Sequence, residues 1–371
     1  MPSDFLPAKI VVKPAQLLVR RRFFRLRYPA LMGWITAFLV AISLLVPVKF
    51  VTEEPGPALN TLGEYDGKQL ISIEGRKTYP TSGELAMTTV SVAGGPNTNI
   101  RALQTLATWL LPDTVVVPSD LMYSPTTTNE QVNTQNEADM TDSQEVAQAA
   151  ALEYLKIDYD LKLTISGFIE QDGQEAAQQL QEGDQLLALG GNRLKTYDQI
   201  ADILDNNGEK AIDVTFVREG KEQTVSLTPH YNQQAQHYVL GLYLEREYRF
   251  PFKVNYEVKE VGGPSAGMMF ALGIIDELNQ VDMTGGKKFA GTGTISAGGK
   301  VGPIGGIAQK MVGARQGGAE VFLAPAENCQ EVVGKVPDGL SVVKVDSLSE
   351  AAEAVQKIGS GADPAQFPSC H

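Results

Sequence analysis

Between Val261 and Ala319 the chain reads VGGPSAGMMFALGIIDELNQ, then, after ten residues, a glycine-dense run GTGTISAGGKVGPIGG, then IAQKMVGARQGGA. Few folds accommodate such a segment. Proline is tolerated in the first turn of a helix, and glycine lets the backbone approach another group closely. Gly262, Gly263 and Pro264 therefore predict a tight turn that delivers Ser265 to the start of a helix. From Met268 to Leu278 the residues are mostly apolar, which predicts a buried helix rather than an amphipathic one. Ile307, Met311, Val312 and Ala314 fall at helical spacing, with Lys310 between Ile307 and Met311, and Gly317 and Gly318 end that helix. A lysine so placed is expected to point inward.

A serine hydroxyl is a weak nucleophile until a base removes its proton. Histidine is the usual base, but the chain has only His230, His237 and His371, none of them in this stretch. A lysine amine can take the role when burial keeps it neutral. A serine at a helix N-terminus also lies beside free backbone N–H groups, which can stabilise an oxyanion. The plain alternative is a glycine-rich turn beside a surface lysine.

The segment resembles the proteolytic domain of Lon-type serine proteases, which use a Ser–Lys dyad. The nucleophile motif is matched by Gly263, Pro264, Ser265, Ala266 and Gly267, and a T-G-x-I strand by Thr292, Gly293, Thr294 and Ile295. A P-I-G-G-x-x-x-K motif is matched by Pro303, Ile304, Gly305, Gly306 and Lys310. The resemblance implies Ser265 as nucleophile, Lys310 as general base and Thr292 as a supporting hydroxyl. One departure is Gly262, where ATP-dependent members usually carry Asp. The resemblance also raises homo-oligomerisation, and it places strands upstream of an insertion in the same proteolytic fold.

Ahead of Tyr28 stand Lys9, Lys13, Arg20, Arg21, Arg22, Arg25 and Arg27 against one acid, Asp4. Residues 28–48 then carry no charge (YPALMGWITAFLVAISLLVPV), about 20 residues, the length that spans a hydrocarbon core. The expectation is a cytoplasmic basic N-terminus (1–27) and an uncleaved single-pass transmembrane helix (28–48), with everything after Lys49 outside. A cleaved signal peptide is the competitor, but no small-x-small site follows the apolar run. The net charge of −13 over 371 residues gives no invitation to nucleic acid.

Residues 49–157 are expected to be a β-rich extracytoplasmic part of the protease fold followed by a polar linker. The runs LISI and LAMTTVSV read as strands, residues 100–111 as a helix, 124–143 as a solvated loop, and 144–155 as a helix. Residues 158–235 form a different unit. Glu182 to Gly191 (EGDQLLALGG) resembles the G-D-x-I-x-x-V-N-G signature of PDZ domains, followed in order by a helix and a V-x-F-x-R-x-G strand. That resemblance implies a peptide added as a strand, with the carboxylate loop near Ser166, Gly167, Phe168 and Ile169, although SGFI matches loosely. A PDZ-like spacer without a ligand is the alternative.

Lys300, in a Gly-Gly-Lys-Val turn, is the nearest rival to Lys310 and is expected to be exposed. The turn is not a P-loop: Thr294 stands where the first glycine belongs and Val301 where Ser or Thr belongs. No nucleotide, metal or other cofactor is expected. Cys329 and Cys370, the only cysteines, suit one disulfide outside the membrane, closing a loop of about 40 residues; two free thiols are the alternative. The combined expectation is an α+β chain with a transmembrane helix, a Lon-like proteolytic domain (236–360) interrupted by a PDZ-like insertion, and a tail (361–371). It would be an ATP-independent, membrane-anchored serine endopeptidase cleaving peptides or unfolded proteins outside the cell, supported at Gly263, Pro264, Ala266, Gly267, Gly305 and Gly306. The inserted module would recruit substrate or regulate the site. The contrasting reading is a catalytically silent peptide-binding scaffold.

Overall fold

The computed structural model describes residues 15–370 apart from Asn97, Thr98, Pro125 and Glu260, with side chains from Tyr28 onward. The expected basic segment lies outside this range over residues 1–14, as do its side chains up to Arg27. The chain divides into two compact units, one of Met1–Thr52 and Ala93–Thr126, the other of Glu53–Val92 and Thr127–His371. The stretch 49–157, expected to be one module, is thus split between the two.

In the smaller unit a helix α1 (Ala15–Ser43) precedes a short antiparallel pairing of Pro47–Val48 with Ile100–Arg101, and helix α2 (Ala102–Trp109) follows that pairing directly. The helix expected over 28–48 therefore stops at Ser43. The next residues turn into an extended pair, where Pro47 has no N–H to extend a helical ladder. Among the described residues no helix is long and apolar enough to cross a membrane. Tyr28 to Ile42 is nevertheless uncharged and exposed all along its length.

Most of strands β1 (Phe50–Asn60) and β2 (Glu84–Ala93) belongs to the larger unit, from Glu53 in the first and as far as Val92 in the second. Leu85, Ala86, Met87 and Thr88 are buried in succession, as in a strand covered on both faces. Helix α3 (Asn129–Leu155) comes next, and it overturns the solvated loop expected over 124–143. Its start is a capping box: Gln131 N–H donates to the Thr128 hydroxyl at 3.2 Å, and Thr128 N–H donates to the Gln131 side chain at 2.9 Å. Met140, Val146, Ala147, Ala150, Ala151 and Leu152 are buried along it, which offsets the polarity of its first turns.

The inserted unit holds strands β3 (Asp160–Phe168), β4 (Gln185–Leu189), β5 (Ile212–Arg218), β6 (Lys221–Leu227) and β7 (Leu242–Arg249), with helix α4 (Gln199–Asn207) between β4 and β5. The strand order is β6–β5–β4–β3–β7, all antiparallel. Its core, from Leu163 and Ile165 to Val214, Phe216 and Leu240, is separate from the other cores of the chain. Because β7 pairs with β3 from Leu242 to Arg249, the insertion ends there and not at residue 235. Asp184, 2% exposed, accepts from Arg218 Nε at 2.8 Å and from Gln181 N–H at 2.8 Å, so this residue of the Gly-Asp signature is a structural lock.

Helix α5 (Gly267–Leu278) is buried from Gly267 to Asp276, the all-round apolar helix expected from its sequence. Strands β8 (Lys288–Gly291), β9 (Thr294–Ile295) and β10 (Val301–Gly302) follow, then α6 (Ile307–Gln316), β11 (Val321–Pro325), β12 (Ser341–Val345) and α7 (Leu348–Gly359). The main sheet runs β12–β11–β8–β2–β1, with parallel pairing from β12 through β2. Strands from before the insertion thus lie in one sheet with strands from after it. Helices α3, α5 and α7 share one core through Leu152, Phe270, Leu272 and Val355, each side chain contributing roughly 1.5–3 kcal/mol by leaving water.

Candidate active site

The turn before α5 carries Ser265, half-buried, two residues ahead of the helix. Helix α3 holds this turn from the side. Gly263 N–H donates to the Asn136 carbonyl at 3.0 Å, and Ser143 Oγ donates to the Pro264 carbonyl at 3.1 Å. Ala266, 4% exposed, is the residue from which the helix starts, its carbonyl accepting from Phe270 N–H. At Gly267 a Cβ would stand 2.8 Å from Ile295 Cγ2 and 2.9 Å from Ser143 Oγ, so this position admits no side chain. The N–H groups of Ser265 and Ala266 find no acceptor among the described residues, and they remain available to an oxyanion.

Lys310 arrives from the first turn of α6, its N–H donating to the Gly306 carbonyl at 3.0 Å. Gly306 has φ +69°, a conformation that glycine adopts without steric cost and that starts the helix in this direction. The preceding loop is clamped by Asn328. Its side chain, 2% exposed, accepts from Ile304 N–H at 2.9 Å and donates to the Ile304 carbonyl at 2.9 Å. Gly305 is exposed beside it. Cys329, next in sequence, is joined by a disulfide to Cys370, with the two Cα atoms 4.9 Å apart.

Lys310 is 2% exposed, and its Nζ lies 2.8 Å from Ser265 Oγ and 2.9 Å from Thr292 Oγ1. The Thr292 hydroxyl, fully buried, donates to the Ser265 carbonyl at 3.0 Å. A hydroxyl has one proton. With that proton committed to Ser265, Thr292 can only accept from the lysine, which leaves the lone pair of a neutral amine for the serine hydroxyl. Burial alone pulls the Lys310 ammonium down to about 8, because desolvation disfavours its charge. Lys300 lies exposed in the β9–β10 turn and takes no part in this cluster.

Residues 258–357 match the family model of the Lon protease (S16) C-terminal proteolytic domain. Over this segment the chain is similar to the Lon proteolytic domain, which supports a serine peptidase. Lon protease 2 of Bacillus subtilis is 34% identical over 95 residues, covering 26% of this chain and 17% of its own. Lon protease of Rhizobium meliloti is 32% identical over 112 residues, covering 29% of this chain and 14% of its own. The chain thus spans less than a fifth of the length of these relatives. Among solved structures, the PDZ domain of an SdrC-like protein from Listeria monocytogenes has 17% identity and a TM-score of 0.21, covering 24% of this chain and 90% of its own. That of an SdrC-like protein from Listeria innocua has 13% identity and a TM-score of 0.21, covering 24% and 99%.

Ser265, Thr292 and Lys310, which the sequence motifs single out, are brought together in one hydrogen-bonded cluster. The inserted unit departs from expectation. Ser166, Gly167 and Phe168 belong to β3, an interior strand, and Phe168 and Gly167 are already paired with Leu242 and Tyr243 of β7. They offer no free strand edge. Of the two edge strands, β6 and β7, it is β7 that lies beside α4, and an apolar groove of about 570 Å³ runs between its start and that helix. Leu189, Ala201, Leu240, Leu242 and Leu244 line it, and of the four expected residues only Ile169 does. The overlooked signal is the run Leu240-Gly241-Leu242, an apolar–glycine–apolar turn entering a strand whose half-buried and exposed residues alternate. Asn136, Ser143 and Asn328 were also missed, and no local pattern marks them.

Proposed function

We propose that the chain is a membrane-held endopeptidase that cleaves extended peptides or unfolded polypeptides outside the cell without nucleotide. The observation that carries this reading is the buried Lys310 amine, 2.8 Å from Ser265 Oγ and with its proton affinity lowered. At neutral pH about one molecule in ten holds that amine neutral. Neutral Lys310 takes the hydroxyl proton as Ser265 Oγ attacks the scissile carbonyl. The oxyanion meets the N–H groups of Ser265 and Ala266. Collapse of the intermediate breaks the C–N bond, Lys310 returns its proton to the departing amine, and an acyl-enzyme remains. Water then attacks the ester, with Lys310 again as base, and Ser265 recovers its proton.

The membrane attachment rests on α1, whose uncharged residues from Tyr28 to Ile42 are exposed all along its length. An apolar surface of this kind requires an apolar environment. The arginines and lysines before it favour a cytoplasmic location for that end. Independence from nucleotide is supported by the sequence around Lys300, which lacks the P-loop pattern. The groove between α4 and β7 receives an extended peptide as an added strand. The direct test incubates the purified chain with a casein in the absence of ATP, beside its Ser265→Ala counterpart. Cleavage by the first and not the second is the expected result; equal cleavage by both overturns the reading.

A further inference from the structure

The peptide groove is not made by the inserted unit alone. Ser296, Gly298 and Lys300, all from the β9–β10 turn of the peptidase domain, line it together with Tyr197, Asp198 and Leu244. The contact is a bonded one: Gly298 N–H donates to the Asp198 carboxylate at 2.9 Å, immediately before α4. The turn is also internally stiff. Ser296 N–H donates to the Lys300 carbonyl at 3.0 Å, Gly299 N–H to the Ser296 carbonyl at 2.8 Å, and Lys300 N–H to Ser296 Oγ at 3.2 Å.

The other end of the same hairpin holds the nucleophile. Gly293 N–H, one residue before β9, donates to the Ser265 carbonyl at 2.9 Å, and the Gly293 carbonyl accepts from Met268 N–H at 3.1 Å. Ile295 fills the space above Gly267, where a Cβ would come within 2.8 Å of its Cγ2. The element touching a groove occupant is therefore the element hydrogen-bonded to the Ser265 carbonyl and to Met268 three residues further on.

We infer that the β9–β10 hairpin is a shared wall that couples occupancy of the α4–β7 groove to the placement of Ser265. The occupant is an extended peptide with a free terminal carboxylate, an apolar last side chain and an acidic side chain upstream. Its backbone pairs with the free edge of β7, and its apolar side chain enters among Leu189, Leu204 and Leu240. Its acid faces Lys300, whose exposed ammonium has no carboxylate partner among the described residues. Asp198 is the positioning residue that fixes the turn against the groove. An occupant bound to one arrangement of the turn must, by linkage, favour that arrangement, and the nucleophile loop follows it. The inference deepens the proposed function and rests on its peptide groove.

The test uses the full chain carrying Ser265→Ala, so that no cleavage confuses the readout, with fluorescein-labelled Gly-Glu-Gly-Val-Leu as free acid and as C-terminal amide. Binding is read by anisotropy and turn dynamics by amide hydrogen exchange over residues 293–301. The free acid should bind at least about tenfold tighter than the amide and slow exchange in 293–301 severalfold. Asp198→Ala should keep binding within about threefold and lose the slowing. Lys300→Ala should weaken the Glu peptide and leave its Gln analogue unchanged. Binding without any change at 293–301, an equal change in Asp198→Ala, or no binding overturns the inference. Absence of casein cleavage by the wild-type chain, with the exchange effect present, would instead overturn the peptidase reading and leave the shared wall standing.

Discussion

Thr292 decides how protons are arranged between Ser265 and Lys310. Its hydroxyl donates to the Ser265 carbonyl and accepts from the amine, so it orients both partners at once. Thr292→Val keeps the shape and removes both bonds. We expect it to lower kcat by about 10²-fold while the chain still folds, a loss read in steady-state cleavage beside a denaturant curve. Lys310 makes a second residue-scale prediction. Its folded proton affinity, about 8, lies below the ordinary 10.5, so between those values the unfolded chain binds more protons and stability rises with pH. Below the folded value the buried ammonium costs on the order of 3 kcal/mol. Lys310→Met should therefore be inactive yet more stable than wild type near neutral pH, and the gap should narrow as pH rises toward about 10. A gap independent of pH would show that the amine is not buried in solution. Ser265, Thr292 and Lys310 were legible because the chemistry requires those residue types at those places. Asn328 was not, since its clamp on Ile304 across a 24-residue separation exists only once β11 has packed.

Among the elements, α3 shows most clearly where composition misleads. Its first half is rich in Thr, Asn, Gln and acids, which reads as solvated chain, yet the capping box at Thr128 and Gln131 starts a helix there. Those turns then support the nucleophile loop through the Asn136 carbonyl and Ser143 Oγ. Ser143→Ala should cost about 1 kcal/mol of stability and reduce kcat severalfold more than KM, because it frees the turn bearing the nucleophile. An unchanged kcat would assign Ser143 to packing alone. Thr128→Ala should cost about 1 kcal/mol, measurable as a lower denaturation midpoint. The α5 and α6 helices were readable from their apolar residues and glycine stops. The edge position of β7 was not, because strand order decides which of β3 and β7 stays unpaired, and no local pattern encodes that order.

At the scale of the molecule, the disulfide ties the C-terminal segment back to the residues around Cys329. The Cys329–Cys370 bond closes a 41-residue separation, worth about 4 kcal/mol in the chain-entropy description. Cys370→Ser should lower the unfolding free energy by roughly 2–4 kcal/mol under oxidising conditions and have no further effect under reduction. Two cysteines suggested that bond, and the Lon resemblance implied that strands upstream of the insertion share its fold, but their parallel register, β8 against β2, appears only in the structure. The central claim is that a buried lysine, and no histidine, activates Ser265. The most direct measurement is kcat/KM for an unstructured protein substrate from about pH 6 to pH 10. The account predicts one ascending limb with its midpoint near 8, where Lys310 loses its proton, and no activity at any pH in Lys310→Ala. A midpoint near 6.5, the ordinary histidine range, or activity retained in Lys310→Ala, would contradict it.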